Sequence, residues 1–116
     1  MNVETVGDVL VIELPARLDA VGVASIEKTL AETIAGHGGK VIADLTNVTF
    51  VASLALRMLL TNLKAIQPKG GDLRLVGLQP AIAEIFRKSR FDTLFKIYRD
   101  REAGVAAYKD AEPKAE

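Results

Sequence analysis

Ser53 stands at the mouth of an apolar-periodic run, Val51-Ala-Ser-Leu-Ala-Leu-Arg-Met-Leu-Leu60, with Arg57 four residues beyond it. A serine at a helix start can cap the helix. A phosphoryl group placed there would meet free N–H groups and the positive end of the helix dipole. Arg57, one turn along, has the reach to pair with such a phosphate. The chemistry this spacing suggests first is a phosphorylation switch; the plain alternative is an N-cap worth about 1 kcal/mol.

The other reactive side chains form no comparable arrangement. Asp19, Asp44, Asp72 and Asp100 are scattered, and no motif fixes two of them together for acid–base work. Asp19 and Asp44 read as turn and strand-end residues. His37, the single histidine, reads as a loop residue between glycines, and Gly36-His-Gly-Gly39 lacks the Lys-Ser/Thr ending of a phosphate loop. Arg87-Lys-Ser-Arg90 has no interleaved aromatics and reads as a solvated helix end. The absence of cysteine removes disulfides and thiol nucleophiles, and with one histidine it also removes zinc clusters and most histidine-based triads. No catalytic residue, metal or cofactor is expected.

The elements that must position Ser53 follow from periodicity. Val3, Val6 and the run Val9–Leu14 flank Gly7-Asp8 and predict an antiparallel hairpin. Val23, Ile26, Leu30 and Ile34 recur at helical intervals, giving a helix from Val21 to Ala35 with Gly36 as its stop. Lys40–Leu45 is short and nearly all apolar, as a mid-sheet strand buried on both faces would be. A helix from about Leu54 to Gln67 ends before Pro68, and Leu73–Val76 follows as a parallel strand through a right-handed crossover. Pro80 opens a third helix buried through Ile82, Ile85 and Phe86; Lys96-Ile-Tyr98 adds an edge strand; Asp100 caps a last helix through Tyr108.

Winding residues 53–67 as a helix gathers Leu56, Leu59, Leu60, Leu63 and Ile66 into the stripe that must cover the sheet. Ser53, Arg57, Thr61 and Lys64 form a neighbouring polar stripe. Leu54 and Met58, with Ala65, fall opposite the core stripe and suggest an exposed docking patch beside Ser53.

Composition is that of one ordinary globular domain: 116 residues, 49% hydrophobic and 26% charged. Fifteen basic and fifteen acidic residues cancel, so no global field draws the chain to nucleic acid or an anionic membrane. No run approaches the roughly 18 apolar residues of a membrane span, and a soluble cytoplasmic protein is expected.

The hairpin, Ala16-Arg-Leu-Asp19, Val41-Ile-Ala-Asp-Leu-Thr-Asn-Val-Thr-Phe50, the serine-bearing turn and Leu73-Arg-Leu-Val76 together resemble STAS domains, especially bacterial anti-sigma factor antagonists. The likeness extends through Ala81-Ile-Ala-Glu-Ile-Phe86 and Phe91-Asp-Thr-Leu-Phe95. It implies a STAS-like α/β domain over residues 1–110, with a mixed four- to five-stranded sheet opening on an antiparallel hairpin. About four helices would pack mainly on one face, and residues 111–116 would form a disordered polar tail. It also implies that Ser53 is the phosphoacceptor, in the position of the serine that follows the aspartate of an Asp-Ser-Ser/Thr-Gly pattern. Asp19 and Ala52 then stand near the switch, and Leu54, Arg57, Met58 and Thr61 would contact a partner.

In this chain the pattern reads Ala52-Ser-Leu-Ala55, without the aspartate, the second hydroxyl or the glycine. Two readings follow from the resemblance. In the first, the chain is a non-enzymatic anti-sigma factor antagonist that binds an anti-sigma factor or serine kinase and is released by phosphorylation of Ser53. In the second, it is a constitutive scaffold subunit of a signalling or transport-ATPase assembly. A small enzyme or nucleotide-binding protein using the strand ends as a pocket is a third class with less support. A homodimer is compatible with each; nucleic acid and direct membrane insertion are not expected.

Overall fold

The computed structural model describes residues 1–110; the tail expected at 111–116 lies outside the described residues. In chain order the elements are β1 (Asn2–Val6), β2 (Val9–Glu13), β3 (Arg17–Leu18), α1 (Ala20–His37), β4 (Lys40–Asp44), β5 (Phe50–Val51), α2 (Ser53–Ile66), β6 (Asp72–Val76), α3 (Pro80–Lys88), β7 (Ile97–Tyr98) and α4 (Arg101–Asp110). Short 3₁₀ turns follow α2 at Gln67–Lys69 and α3 at Phe91–Thr93. The main sheet runs β1-β2-β4-β6-β7, and β3 pairs with β5 in a separate two-stranded ladder. β1 is antiparallel to β2, with Val6 opposite Val9 across the Gly7-Asp8 loop; every other pair in the sheet is parallel.

β4 is the middle strand because its sequence suits burial on both sides. Val41 and Ala43 join the larger core with β2, β6 and the apolar stripes of α1, α2 and α3. Ile42, between them, points the other way, into a smaller cluster with Val9, Val11, Val76, Val105 and Tyr108. Three helices therefore cover one face, and α4 covers part of the other. Gly104 lets α4 come down onto the sheet: a Cβ at this position would meet Val76 at 2.7 Å and Ile42 at 3.1 Å.

A polar cluster missed by apolar periodicity locks α4 in place. The Arg74 side chain is buried, pairs with Asp72 at 3.1 Å and stacks on the Tyr108 ring at 3.8 Å. The Tyr108 hydroxyl lies 2.8 Å from the Val41 carbonyl and 2.7 Å from that of Asp72, and accepts from the Val41 N–H at 3.2 Å. Burial, the largest cause, pushes its ionisation well above the ordinary tyrosine value, so it remains a neutral hydroxyl.

Several boundaries differ from the periodicity. α1 runs through Gly36 and His37 to a C-cap at Gly38, whose φ of 68° is the left-handed angle that a helix stop uses. Gly36 has no such role. His37 is thus helical, not a loop residue, and its Nε2 lies 2.9 Å from the Asp8 carbonyl of the hairpin turn. The C-terminus of α3 is closed by Arg90 at φ 63°, among the described residues the one non-glycine at positive φ.

The larger correction concerns α2. Its buried residues are Ala55, Leu56, Met58, Leu59, Asn62, Leu63 and Ile66, while Leu60 is half-buried. The stripe is rotated by roughly 60° from the expected one, at 100° per residue. α2 packs against α1 as well as over β6, so its buried arc is wider than that of a helix lying on a sheet alone. Met58, expected on the open face, is 3% exposed, and its carbonyl accepts from the buried Asn62 side chain at 2.8 Å.

Tyr108→Phe keeps the ring and strips the hydroxyl that ties α4 to β4 and β6. It is expected to lower unfolding free energy by about 1–3 kcal/mol in denaturant titration, because the hydroxyl's buried hydrogen bonds to the Val41 and Asp72 main chain are lost. An unchanged midpoint and slope would show that the hydroxyl carries no such weight.

Candidate functional site

The site is built where two helices start side by side. Beyond the end of β2 the chain turns through Pro15-Ala16 into β3, and beyond β4 it returns through Thr46–Thr49 into β5. The two-residue strands align in parallel, with Arg17 opposite Phe50 and Leu18 opposite Val51. The Thr49 N–H donates to the Ala16 carbonyl at 2.8 Å, and the Ala52 N–H to the Leu18 carbonyl at 2.9 Å. Asp19 and Ala52, one residue past each strand, then open α1 and α2. This ladder brings together the two sequence positions expected near the switch.

Asp19 is the side-chain cap of α1. Its Oδ1 accepts from the Gly22 N–H at 2.8 Å, and its Oδ2 pairs with Arg17 Nε at 3.3 Å. The Gly22 N–H, and then Arg17, hold its carboxyl below the usual aspartate range. Gly22 is required by space: a Cβ there would lie 2.0 Å from the Arg17 carbonyl oxygen. The sequence carried a signal for it, since glycine inside an otherwise helical run is disfavoured and calls for a packing reason.

α2 begins differently. Its N-cap is Ala52, extended at φ −88° and ψ 161°, with no side-chain cap. Ser53 is the first helical residue, so the expected capping role falls away. Its hydroxyl is exposed and has no hydrogen-bond partner among the described residues. The Ala52 carbonyl accepts from Ala55 at 2.9 Å and Leu56 at 3.4 Å, which leaves the N–H groups of Ser53 and Leu54 without a main-chain acceptor among the described residues. No acidic residue occupies the first turn. The open donors and the dipole leave this end suited to a negative charge. Ala55 lies in the helix body and is fully buried, so the backbone at this position has no need of glycine.

Arg57 and Thr61 are exposed on the same helix, and the Thr61 hydroxyl donates to the Arg57 carbonyl at 2.9 Å. Leu54 is 39% exposed and Met58 is not. The apolar surface beside Ser53 is completed by two residues that helical winding of α2 could not find. Phe50, 41% exposed, carries the Arg17 guanidinium 4.8 Å from its ring centre, and Val21, 79% exposed, lies in the first turn of α1. The β3–β5 pairing thus places exposed Phe50 and Val21 at the same pair of helix starts as Ser53 and Leu54, with Arg17 on β3 and Arg57 one turn along α2. Among the described residues no group of three or more His, Asp or Glu side chains converges as a metal site.

The STAS domain profile matches residues 1–104. The chain belongs to the STAS domain family. Across 98% of both sequences it is 27% identical over 114 residues to BtrV of Bordetella bronchiseptica, which bears an anti-sigma factor antagonist name. The structure of an anti-sigma-factor antagonist STAS domain protein from Planctomyces limnophilus superimposes with a TM-score of 0.83 at 27% identity, covering 92% of this chain and 97% of that one. The Bacillus cell-fate determinant SpoIIAA shares the fold in two states. Its unphosphorylated form aligns at TM-score 0.71, 18% identity and 96% and 98% coverage. Its phosphorylated form aligns at 0.69, 20% identity and 91% and 97% coverage. None of the helices is long and apolar enough to cross a membrane, among the described residues.

At the start of α2 the cap position and the first helical residue should respond differently to substitution. Ala52→Asp supplies the missing cap and should stabilise the protein by about 1 kcal/mol, whereas Ser53→Ala should change stability by less than about 0.5 kcal/mol. Thermal and denaturant unfolding of both variants reads this; a cap-sized loss in Ser53→Ala would place the hydroxyl back in the cap.

Asp19→Ala should lower the melting temperature at neutral pH. Because the folded pKa of Asp19 is depressed, its contribution is present above the unfolded value and is lost as the pH falls through the folded one. The gap between wild type and variant should therefore close on acidification, and a gap independent of pH would show that the charge is not involved.

Proposed function

We propose that this STAS domain is a non-enzymatic, cytoplasmic anti-sigma factor antagonist. It docks an anti-sigma factor or serine kinase through the Val21, Phe50 and Leu54 surface, and phosphorylation of Ser53 releases that partner. The observation that carries the reading is the setting of Ser53: a free hydroxyl at a helix start, with open N–H groups behind it and exposed apolar side chains at the same pair of helix starts. A phosphoryl group would add about −1.5 to −2 charge in the middle of that apolar contact. On the free protein the same group would be held by the open end of α2, with Arg57 one turn away. Binding loses and the unbound form gains, which is the sign a release switch needs. BtrV, with its antagonist name, and the two SpoIIAA states support this reading at the level of the family.

A second reading is favoured by one local feature. Leu54 stands where the family pattern has a second hydroxyl, and Ala52 where it has an aspartate, so the acceptor lies in an apolar context. A constitutive scaffold subunit that docks a partner permanently fits that context without any kinase.

Binding to the anti-sigma kinase of the same host, measured by calorimetry, separates the two. For the switch, Ser53→Ala keeps wild-type affinity, Ser53→Asp weakens it at least about tenfold, or about 1.4 kcal/mol, and Leu54→Asp weakens it further. Equal affinity of Ser53→Ala and Ser53→Asp would remove the switch and leave the scaffold. Mass spectrometry of protein from its own host adds an independent readout, with one phosphoryl group on Ser53 expected.

A further inference from the structure

Seven large apolar side chains are exposed among the described residues: Met1, Val3, Val6, Val21, Phe50, Leu54 and Leu94. Three of them, Val21, Phe50 and Leu54, lie at or just before the starts of α1 and α2. Another three, Met1, Val3 and Val6, lie on or next to β1, far along the sheet order from β7. β1 is an edge strand, and it lacks the devices that normally keep an edge from pairing. It is five residues long and fully exposed, and the opposite edge, β7, has two residues. It carries no proline and no lysine, and its one-for-one register with β2 shows no bulge. Its single charge, Glu4, is already paired with Arg101 of α4.

The hairpin fixes which groups β1 offers. A two-residue loop makes Val6 and Val9 a hydrogen-bonded pair, and alternation then points the main-chain N–H and C=O groups of Val3 and Thr5 off the free edge. The side chains divide by face. Val3 and Thr5 lie opposite Ile12 and Leu10, on the side of the larger core. Asn2, Glu4 and Val6 lie opposite Glu13, Val11 and Val9, on the side of α4.

We propose that β1 pairs antiparallel with β1 of a second copy of this chain about a twofold axis at Val3, making one sheet continuous through both. Side chains facing each other across an antiparallel ladder share a face. With the axis at Val3, the two Val3 side chains meet at the centre, and Asn2 of each copy faces Glu4 of the other, an amide opposite a carboxylate. Moving the axis by one residue would set Glu4 against Glu4, like charges directly opposed. The axis at Val3 avoids that clash, uses main-chain groups that the hairpin leaves free and gives the Glu4 carboxylate an amide to face, which an axis at Thr5 would not. The occupant is a second copy because the strand complements itself, and a twofold pairing closes without leading to a filament. A five-residue edge buries less than the roughly 1,600 Å² of a standard interface, so the association is a weak one that appears with concentration. It uses no residue of the Ser53 surface and stands or falls independently of phosphorylation.

The chain has no cysteine, so single-cysteine variants report the register directly. Facing Val3 Cα atoms would lie about 5.5 Å apart, within disulfide range, whereas paired Glu4 or Thr5 positions would not. Val3→Cys should therefore form a covalent dimer under mild oxidation several-fold faster than Glu4→Cys or Thr5→Cys. Sedimentation of the full chain from micromolar to millimolar concentration should show the mass moving from one chain to two. Val3→Lys should abolish that shift while retaining the wild-type circular dichroism, and Leu94→Lys should leave it intact. A one-chain mass throughout, a dimer that survives Val3→Lys, or cross-linking led by Glu4→Cys or Thr5→Cys would each overturn the proposal.

Discussion

The rest of the structure depends on the burial of β4 from both sides. Val41, Ile42 and Ala43 are apolar without interruption, so this strand can be stable only between two layers. That requirement sets β2 and β6 beside it, three helices on one face and α4 on the other. It also fixes where the chain must leave the sheet. Asp44, buried at the strand end, accepts from the Thr46 N–H at 2.9 Å and from the Thr46 hydroxyl, while its second oxygen takes Arg101 at 3.1 Å. The loop to β5 is therefore anchored at its root by a buried carboxylate and a residue of α4. The candidate surface around Ser53 follows from that anchor.

A small ladder of four residues then does what the main sheet does not. β3 and β5 lie beyond the sheet and align the residues just before α1 and α2, so that two helix N-termini open together. One end is closed by Asp19 and packed tightly at Gly22. The other is left open by Ala52, and Ser53 sits in that opening. The contrast has a physical meaning: a capped helix end has its donors satisfied, whereas an uncapped one retains donors for a negatively charged group. The STAS fold thus supplies a matched pair of helix starts, of which one is structural and the other is available for chemistry.

Local chemistry was legible wherever it was periodic or short-range. The Gly7-Asp8 hairpin, the doubly buried strand, the Asp100 cap, Pro80 as the first residue of α3 and the apolar sides of α1 and α3 all follow from neighbours within a few residues. What depended on the packing of one element against another was not legible. Gly38, not Gly36, ends α1, because the last turn continues until a residue adopts the left-handed angle. Met58 is buried, because α2 has a helix beside it as well as a sheet beneath it. Arg74 and Tyr108 form a buried pair across 34 residues of chain, and no local pattern announces it.

The candidate site divides in the same way. The sequence by itself determined the position of Ser53 at a helix start and the polar stripe of Arg57 and Thr61, since these rest on helical spacing and turn chemistry, and it carried the fold class through the motifs that resemble the family. Only the tertiary structure decided that Ser53 lies inside the helix with Ala52 as its cap, that Asp19 caps the neighbouring helix start, and that Met58 is buried while Val21 and Phe50 stay exposed. Those facts require the β3–β5 ladder and the α1–α2 contact, interactions between segments more than thirty residues apart. Periodicity reports which side of an element is apolar; which of its residues remain in water is set by the elements that pack around it.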